Sequence, residues 1–224
     1  HVNFNLGCPS SRVQENMLGL ALTQNYDLVK KCLFELINYK HEVSVKCRLG
    51  LGMNEDKNYI FSYLNLFKDI GIKKVFIHCR NGVLNLDTKK NRTIPQINYE
   101  LFLECSKKFP EMELIPNGEV NDLETFNSFK SKNINKYMIG RQFAKDALFL
   151  EKLKLEKIND KTSLVLDSIK ELDNYKYLNI NLLKKSLFTL INNISNSKGI
   201  KKDISIIDNT KDLLNYIERK IIWT

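Results

Sequence analysis

Five short apolar segments alternate with stretches of helical periodicity, and this alternation limits the chain to a small set of folds. The apolar segments are Val2 to Gly7, Val43 to Arg48, Lys74 to Arg80, Glu113 to Gly118 and Lys136 to Arg141. Between them, apolar residues recur every three or four positions, as at Ile60, Leu64 and Phe67, which is typical of a helix with one buried face. Alternating strands and helices predict an α/β protein with parallel strands.

Polar and basic residues cluster at the carboxyl end of each predicted strand. An open doubly wound sheet places ligands at one or two such ends, whereas a β/α barrel builds its active site from many of them. Five functional-looking ends therefore favour a partial TIM (β/α)8 barrel of about five carboxyl-terminal units. Because a complete barrel has eight units, the chain is predicted to be truncated at its amino terminus.

The character of the sequence changes near residue 150. Beyond it there is one glycine, Gly199, and no proline. We predict a partial barrel over residues 1–150 that carries the candidate functional residues described below, and a small helical domain over 151–224. Within the helical domain, helices are expected at 179–194 and 209–222, joined by a polar link at 192–202.

Composition sets limits on function. The 224 residues carry a net charge of +9, from 35 Lys and Arg against 26 Asp and Glu, but these charges are spread along the chain and give only weak support for a polyanion partner. The five cysteines show no CxxC spacing, so neither a disulfide framework nor a metal site is expected. We expect no membrane span and a reducing compartment, either the cytoplasm or an organelle.

The first predicted strand ends in the turn Asn5-Leu6-Gly7-Cys8-Pro9. Proline forces Cys8 into extended geometry, and Gly7 allows close approach of a ligand to the backbone. Asn5 precedes Cys8 by three residues, so both side chains could contact one small molecule. Taken alone, the turn fits a reactive thiol and a buried, inert cysteine equally well.

Alternation along the next two strands separates basic residues from cysteines. Lys46 and Arg48 share one face and leave Cys47 on the other, and His78 and Arg80 oppose Cys79 in the same way. Cys47 and Cys79 are predicted to pack against helices. The basic residues form an electropositive mouth suited to a cofactor that becomes anionic on reduction. The last two strand ends, Asn117-Gly118-Glu119 and Gly140-Arg141, are positioned to bind phosphate.

In this order the motifs resemble the tRNA-dihydrouridine synthases, flavin enzymes whose FMN binds at the top of a β/α barrel followed by a helical domain. The family's Asn-x-Gly-Cys-Pro turn corresponds to Asn5 to Pro9. Its Lys-x-Arg strand corresponds to Lys46 to Arg48, and its His-x-Arg strand to His78 to Arg80. Its two flavin phosphate loops correspond to Asn117 to Glu119 and to Gly140-Arg141. Two further stretches, Gly7 to Gln14 and Asn91 to Pro95, resemble the bacterial A-type branch, which modifies the D-loop near positions 20 and 20a.

The resemblance implies a reaction. FMN, recharged by NADPH, would pass hydride to C6 of a uracil flipped out of tRNA, and Cys8 would protonate C5. The implied cofactor contacts are Lys46, His78, Asn117, Gly118, Glu119, Gly140 and Arg141. The implied substrate contacts are Asn5, Arg48, Arg80 and Arg92. The expected partner is tRNA, bound by a monomeric protein.

One departure from the family pattern concerns Glu119, where the A-type branch usually has glycine; an acidic residue there is consistent with phosphate binding through the backbone. Two alternative functions stay open. One is a flavin barrel acting on a free pyrimidine, similar to dihydroorotate dehydrogenase, against which the helical domain argues. The other is a barrel that binds tRNA without catalysis.

Overall fold

A computed structural model describes residues 1–146, 149–154, 165–167, 169–171, 179–191 and 194–221. The chain divides into two compact units, residues 1–139 and 140–224. The boundary predicted from the sequence, after residue 150, lies eleven residues further along the chain than residue 139.

The first unit is built on a four-stranded sheet in which neighbouring strands are parallel and follow the order of the chain. Its strands are β1 (Val2–Asn5), β2 (Val43–Leu51), β3 (Lys74–Gly82) and β4 (Glu113–Asn117). Its α-helices are α1 (Ser11–Glu15), α2 (Tyr26–Asn38), α3 (Lys57–Asp69), α4 (Tyr99–Lys108) and α5 (Leu123–Ser131). Parallel strands in chain order with helices between them confirm the predicted fold class, a part of a β/α barrel.

The segment predicted as a fifth strand, residues 136–141, makes only a single parallel bridge, between Met138 and Asn117. The Met138 N–H donates to Pro116 O (2.9 Å), and the Asn117 side-chain amide donates to Met138 O (2.8 Å). A side chain therefore replaces the next backbone hydrogen bond of a ladder. Gly140, with ψ of −85°, then leaves extended geometry, so the prediction of a full strand is wrong.

Strand alternation and helix capping together create the core of the first unit. Val45 and Cys47 of β2 and Ile77 and Cys79 of β3 are buried in one hydrophobic cluster, which helices cover with one face each. Side chains of the residues preceding four of these helices accept a backbone N–H of the first turn, which fixes where each helix begins. These capping residues are Asn25, Asp56, Asn98 and Asp122.

The second unit is helical, as predicted. Among the described residues of this unit, helices include α6 (Arg141–Lys145), α7 (Phe149–Lys154), α8 (Ile180–Leu190), α9 (Ser197–Ser205) and α10 (Thr210–Lys220). The stretch predicted as a polar link at 192–202 contains the start of α9, because Ile200 and Ile204 lie one turn apart and are both buried in the core of this unit. Residues 192, 193 and 222 of these predictions lie outside the described residues.

No helix in the described part of the chain is both long and apolar enough to cross a membrane.

Candidate active site

The register of the sheet brings the predicted site residues onto one face. Asn5 pairs with Lys46, while Arg48 pairs with His78, which in turn pairs with Asn117. Because register partners in a parallel sheet point to the same side, these five side chains form two adjacent rows. The rows lie towards the carboxyl ends of the strands, where barrel enzymes carry their chemistry.

The Cys8 turn is fixed by hydrogen bonds to its backbone from other segments. The Asn5 side-chain oxygen accepts the Gly7 N–H (3.0 Å). The carbonyls of residues 7, 8 and 9 accept, in turn, Arg48 Nε (3.0 Å), the Leu20 N–H (3.0 Å) and Gln14 Nε2 (2.6 Å). Cys8 itself is half-buried. The turn therefore presents a partly accessible thiol on a backbone with little freedom to move.

Arg48 joins three segments around the site. Besides the Gly7 carbonyl, its guanidinium donates through Nη1 to the carbonyls of Asn81 (2.7 Å) and Asn91 (3.1 Å). Desolvation, followed by the neighbouring Arg80, lowers the pKa of Arg48 to about 10. Two of its three nitrogens are engaged by backbone carbonyls in this arrangement. The predicted contact of Arg48 with substrate stays a prediction.

Asn91 is fully buried and organises the loop that follows β3. Its side chain accepts the Val83 N–H (2.8 Å) and donates to the carbonyls of Val83 (2.8 Å) and Leu86 (2.7 Å). This loop carries the exposed Arg92, one of the predicted substrate contacts. Arg92 is close enough to Arg48 to lower its pKa, so the guanidinium groups share one electropositive region.

Arg80 is buried and forms an ion pair with Glu119. It also donates to the Pro95 carbonyl, while its Nε atom has no hydrogen-bond partner among the described residues. Glu119 adopts φ of +52°, a conformation that glycine takes without strain. Glu119 therefore has the backbone conformation that a glycine could adopt at this position, and its carboxylate partly neutralises the charge of Arg80.

Gly118 lies against the ring of His78. A Cβ atom at residue 118 would lie 2.8 Å from His78 Cδ2, and the backbone there has φ of +119°. The Tyr99 hydroxyl donates to the Gly118 carbonyl (2.7 Å) and fixes this turn from the other side. The glycine is thus required for the close packing of the imidazole.

Lys46 lies beside Asn5 and is partly buried. Burial lowers the pKa of its ammonium group, and the neighbouring Arg48 adds to this effect. Cys8 is among the groups that act in the opposite direction. A cation with a reduced proton affinity next to a thiol is suited to stabilise a negative charge that develops during a reaction.

Two predicted residues belong to the other unit. Gly140 immediately precedes α6, and Arg141 is its exposed first residue. Their predicted contact with a flavin phosphate stays a prediction.

The other sheet cysteines differ from Cys8. Cys47 and Cys79 are buried in the core, and desolvation raises the pKa of Cys47 to about 12 and that of Cys79 further. All five cysteines are free thiols. Within the described ranges, no group of three or more His, Cys, Asp or Glu residues is arranged to hold a metal ion.

Several residues around the site have contacts that the sequence alone does not predict. Ser10, Gln14, Asn91 and Tyr99 each contact the predicted residues or their backbone. Ser10, Gln14 and Asn91 lie inside the stretches that carry the family resemblance, but the resemblance implies no contact for them. Their partners are set by the tertiary fold, which spacing along the chain does not reveal.

Comparison with known protein families gives a match to the family described as dihydrouridine synthase (Dus), over residues 1–218. Curated relatives named tRNA-dihydrouridine(20/20a) synthase are also similar. The protein of Pseudomonas aeruginosa is 31% identical over 143 residues, which are 63% of this chain and 43% of that protein. The protein of Escherichia coli is 31% identical over 144 residues, with coverage of 63% and 43%.

The match to a relative of the same name from Yersinia pestis extends further, with 29% identity over 175 residues, or 77% of this chain and 50% of that protein. The chain thus spans about half or less of the length of these curated relatives.

Proposed function

Because the chain belongs to the dihydrouridine synthase family, we propose that it is part of an FMN-dependent enzyme that uses NADPH to reduce uridine to dihydrouridine in the D-loop of tRNA. The proposed target is position 20 or 20a, as in the names of its relatives. The observation that carries the proposal is the Cys8 turn, whose three consecutive carbonyls are fixed by donors from different segments.

The donor set of the first unit fits a flavin, a group on which this family depends in general. Lys46, His78 and Asn117 share one face of the sheet, and Gly118 lets the imidazole of His78 pack against its backbone. The buried Nε atom of Arg80 has no partner among the described residues, and a bound anionic or carbonyl oxygen would satisfy it. Lys46, His78, Asn117, Gly118 and Glu119 of the first unit would hold FMN.

When bound, reduced FMN supplies the hydride that goes to C6 of the uracil. Residues of this chain donate the proton, bind the uracil and stabilise charge. Cys8 donates the proton of its thiol to C5, so that the S–H bond breaks as the C5–H bond forms and the electron pair stays on sulfur. The Asn5 amide, oriented by its bond to the Gly7 N–H, donates from Nδ2 to a uracil carbonyl. The ammonium group of Lys46 would stabilise negative charge on the flavin ring.

The first test is the cofactor. Purified full-length protein should be yellow, and the flavin released by heat should be FMN. Properly folded full-length protein without flavin would contradict the proposal.

The second test is the reaction. Wild-type protein should form dihydrouridine in unmodified tRNA with NADPH, and Cys8→Ala should bind tRNA with wild-type affinity while forming dihydrouridine at least 100-fold more slowly, since positioned acids typically contribute roughly 10²–10⁴-fold. Cys32→Ser, which changes a half-buried cysteine of α2, is the matched control. Reduction of free uridine or uracil at a rate equal to that of tRNA would instead favour the free-pyrimidine reading.

A further inference from the structure

Ser10 occupies the capping position of α1 but does not cap it. Its φ and ψ of −72° and 143° are those of an ordinary capping residue, yet its side chain makes no hydrogen bond to the first turn of the helix. Asn25, Asp56, Asn98 and Asp122 in the same unit all use their side chains for this purpose. The hydroxyl of Ser10 is therefore directed elsewhere.

That hydroxyl contacts the thiol of Cys8. Ser10 Oγ lies 3.5 Å from Cys8 Sγ, within the range for a hydrogen bond that involves sulfur, and both groups are partly buried. The backbone between the two residues and at Ser10 is held by Gln14: the Pro9 carbonyl accepts Gln14 Nε2 (2.6 Å), and the Ser10 carbonyl accepts the Gln14 N–H (2.9 Å). Gln14 in turn accepts the Asn85 N–H at its Oε1 atom (3.0 Å), which ties the turn to the loop after β3.

We propose that Ser10 is a positioning residue for Cys8, a role that rests on the proposed function of this site. As the S–H proton moves to C5 of the uracil, the hydroxyl of Ser10 donates a hydrogen bond to the sulfur on which the electron pair remains. Ser10 keeps its own proton throughout. A hydrogen bond to an ionised group is stronger than one to a neutral group, so this contact strengthens as the thiol loses its proton.

The helix gives up a cap for this contact. A serine cap replaced by alanine normally lowers helix stability, but at Ser10 that contribution is already absent because the hydroxyl faces sulfur. Ser10→Ala should therefore fold normally and affect the thiol instead. Ser11, the exposed next residue in α1, offers a matched control at the neighbouring position.

The first measurement is the rate at which iodoacetamide alkylates Cys8 at neutral pH, followed by mass spectrometry of the Cys8 peptide. Thiolate is the reactive form, so loss of the hydroxyl should slow alkylation roughly tenfold in Ser10→Ala, the fold-change that corresponds to one hydrogen bond to a charged group. Ser10→Thr, which keeps a hydroxyl, should recover most of the wild-type rate, and Ser11→Ala should match wild type. Equal rates in wild type and Ser10→Ala would overturn the proposal.

The second measurement is turnover of tRNA by the full-length protein. Ser10→Ala should lower kcat by a similar factor and leave KM unchanged, and Ser10→Thr should restore kcat. Unchanged kcat in Ser10→Ala would overturn a role in the reaction even if alkylation slows. If wild-type protein forms no dihydrouridine, the proposed function itself is refuted; if wild type is active and Ser10→Ala is indistinguishable from it, only the role of Ser10 is refuted.

Discussion

The two faces of strands β2 and β3 carry opposite chemistries within the same two segments. One face presents Val45, Cys47, Ile77 and Cys79 to the hydrophobic core. The other presents Lys46, Arg48, His78 and Arg80. Alternation with a period of two thus builds a core and a basic site from neighbouring residues of one strand.

The basic face itself contains groups in different situations. Arg48 donates to three backbone carbonyls, and Arg80 pairs with Glu119, so both guanidinium groups are engaged within the fold. Lys46 is less buried than either and has a lowered pKa. Basic residues on the same face of the sheet therefore differ in their roles. Arg48 holds the backbone of the site together, whereas Lys46 is the better candidate for a direct role in the reaction.

The largest effect is expected from Arg48→Met, which removes the guanidinium that joins the Cys8 turn to β3 and its loop. Three carbonyls would lose a charged donor, and the free energy of unfolding should fall by roughly 3 kcal/mol. Chemical denaturation would measure it. Lys46→Met changes the residue two positions before Arg48 on the same face of β2. It should change the free energy of unfolding by less than about 1 kcal/mol. Equal losses of unfolding free energy in the two variants would show that Arg48 does not stabilise the site more than Lys46 does.

A smaller effect is expected on the opposite face from Cys47→Ser. The new hydroxyl would enter the hydrophobic cluster around Ile77, and the free energy of unfolding should fall by about 1–2 kcal/mol. Cys32→Ser, in a half-buried position on α2, should cost less. The melting temperatures of the two variants provide the measurement, and a larger loss for Cys32→Ser would contradict the assignment of the core face.

The smallest effect concerns the titration of Lys46. Because burial disfavours its charged form, Lys46 should lose its proton at a lower pH in the folded protein than a lysine in an unstructured peptide. The unfolded state then binds more protons between the two pKa values, so this group makes stability rise as pH increases through that interval. Acetylation of Lys46 in the folded protein and in an unstructured peptide of the same sequence, followed as a function of pH by mass spectrometry, gives both midpoints. Coincident midpoints would show that Lys46 is solvated like the surface lysines.

Much of the fold could be predicted because its signals are local. Period-two alternation around Cys47 and Cys79 identified β2 and β3, and helical periodicity identified α3. The full strand predicted at 136–141 failed because pairing depends on a partner: the Asn117 side chain, rather than a ladder, holds Met138. The helix α9 was missed because only two buried isoleucines mark it in a polar stretch.

The candidate site was likewise predictable only in part. The residue types at the strand ends could be predicted, and register brings Asn5 beside Lys46 and His78 beside Arg48 and Asn117. Their partners could not be predicted, since the choice of a carbonyl by Arg48 is made by the three-dimensional path of loops. The contact of Ser10 with Cys8 was hidden for a different reason: a serine before a helix normally signals a cap.

The three carbonyl contacts of Arg48 also bear on the order in which the molecule assembles. They span 41, 33 and 43 residues of sequence, although the turn that carries Cys8 is itself only a few residues long. Contacts between distant residues form only after the entropy of closing long loops has been overcome. The thiol turn, although it lies early in the sequence, is therefore expected to reach its final shape late in folding, after β3 and the loop bearing Asn91 have joined β2.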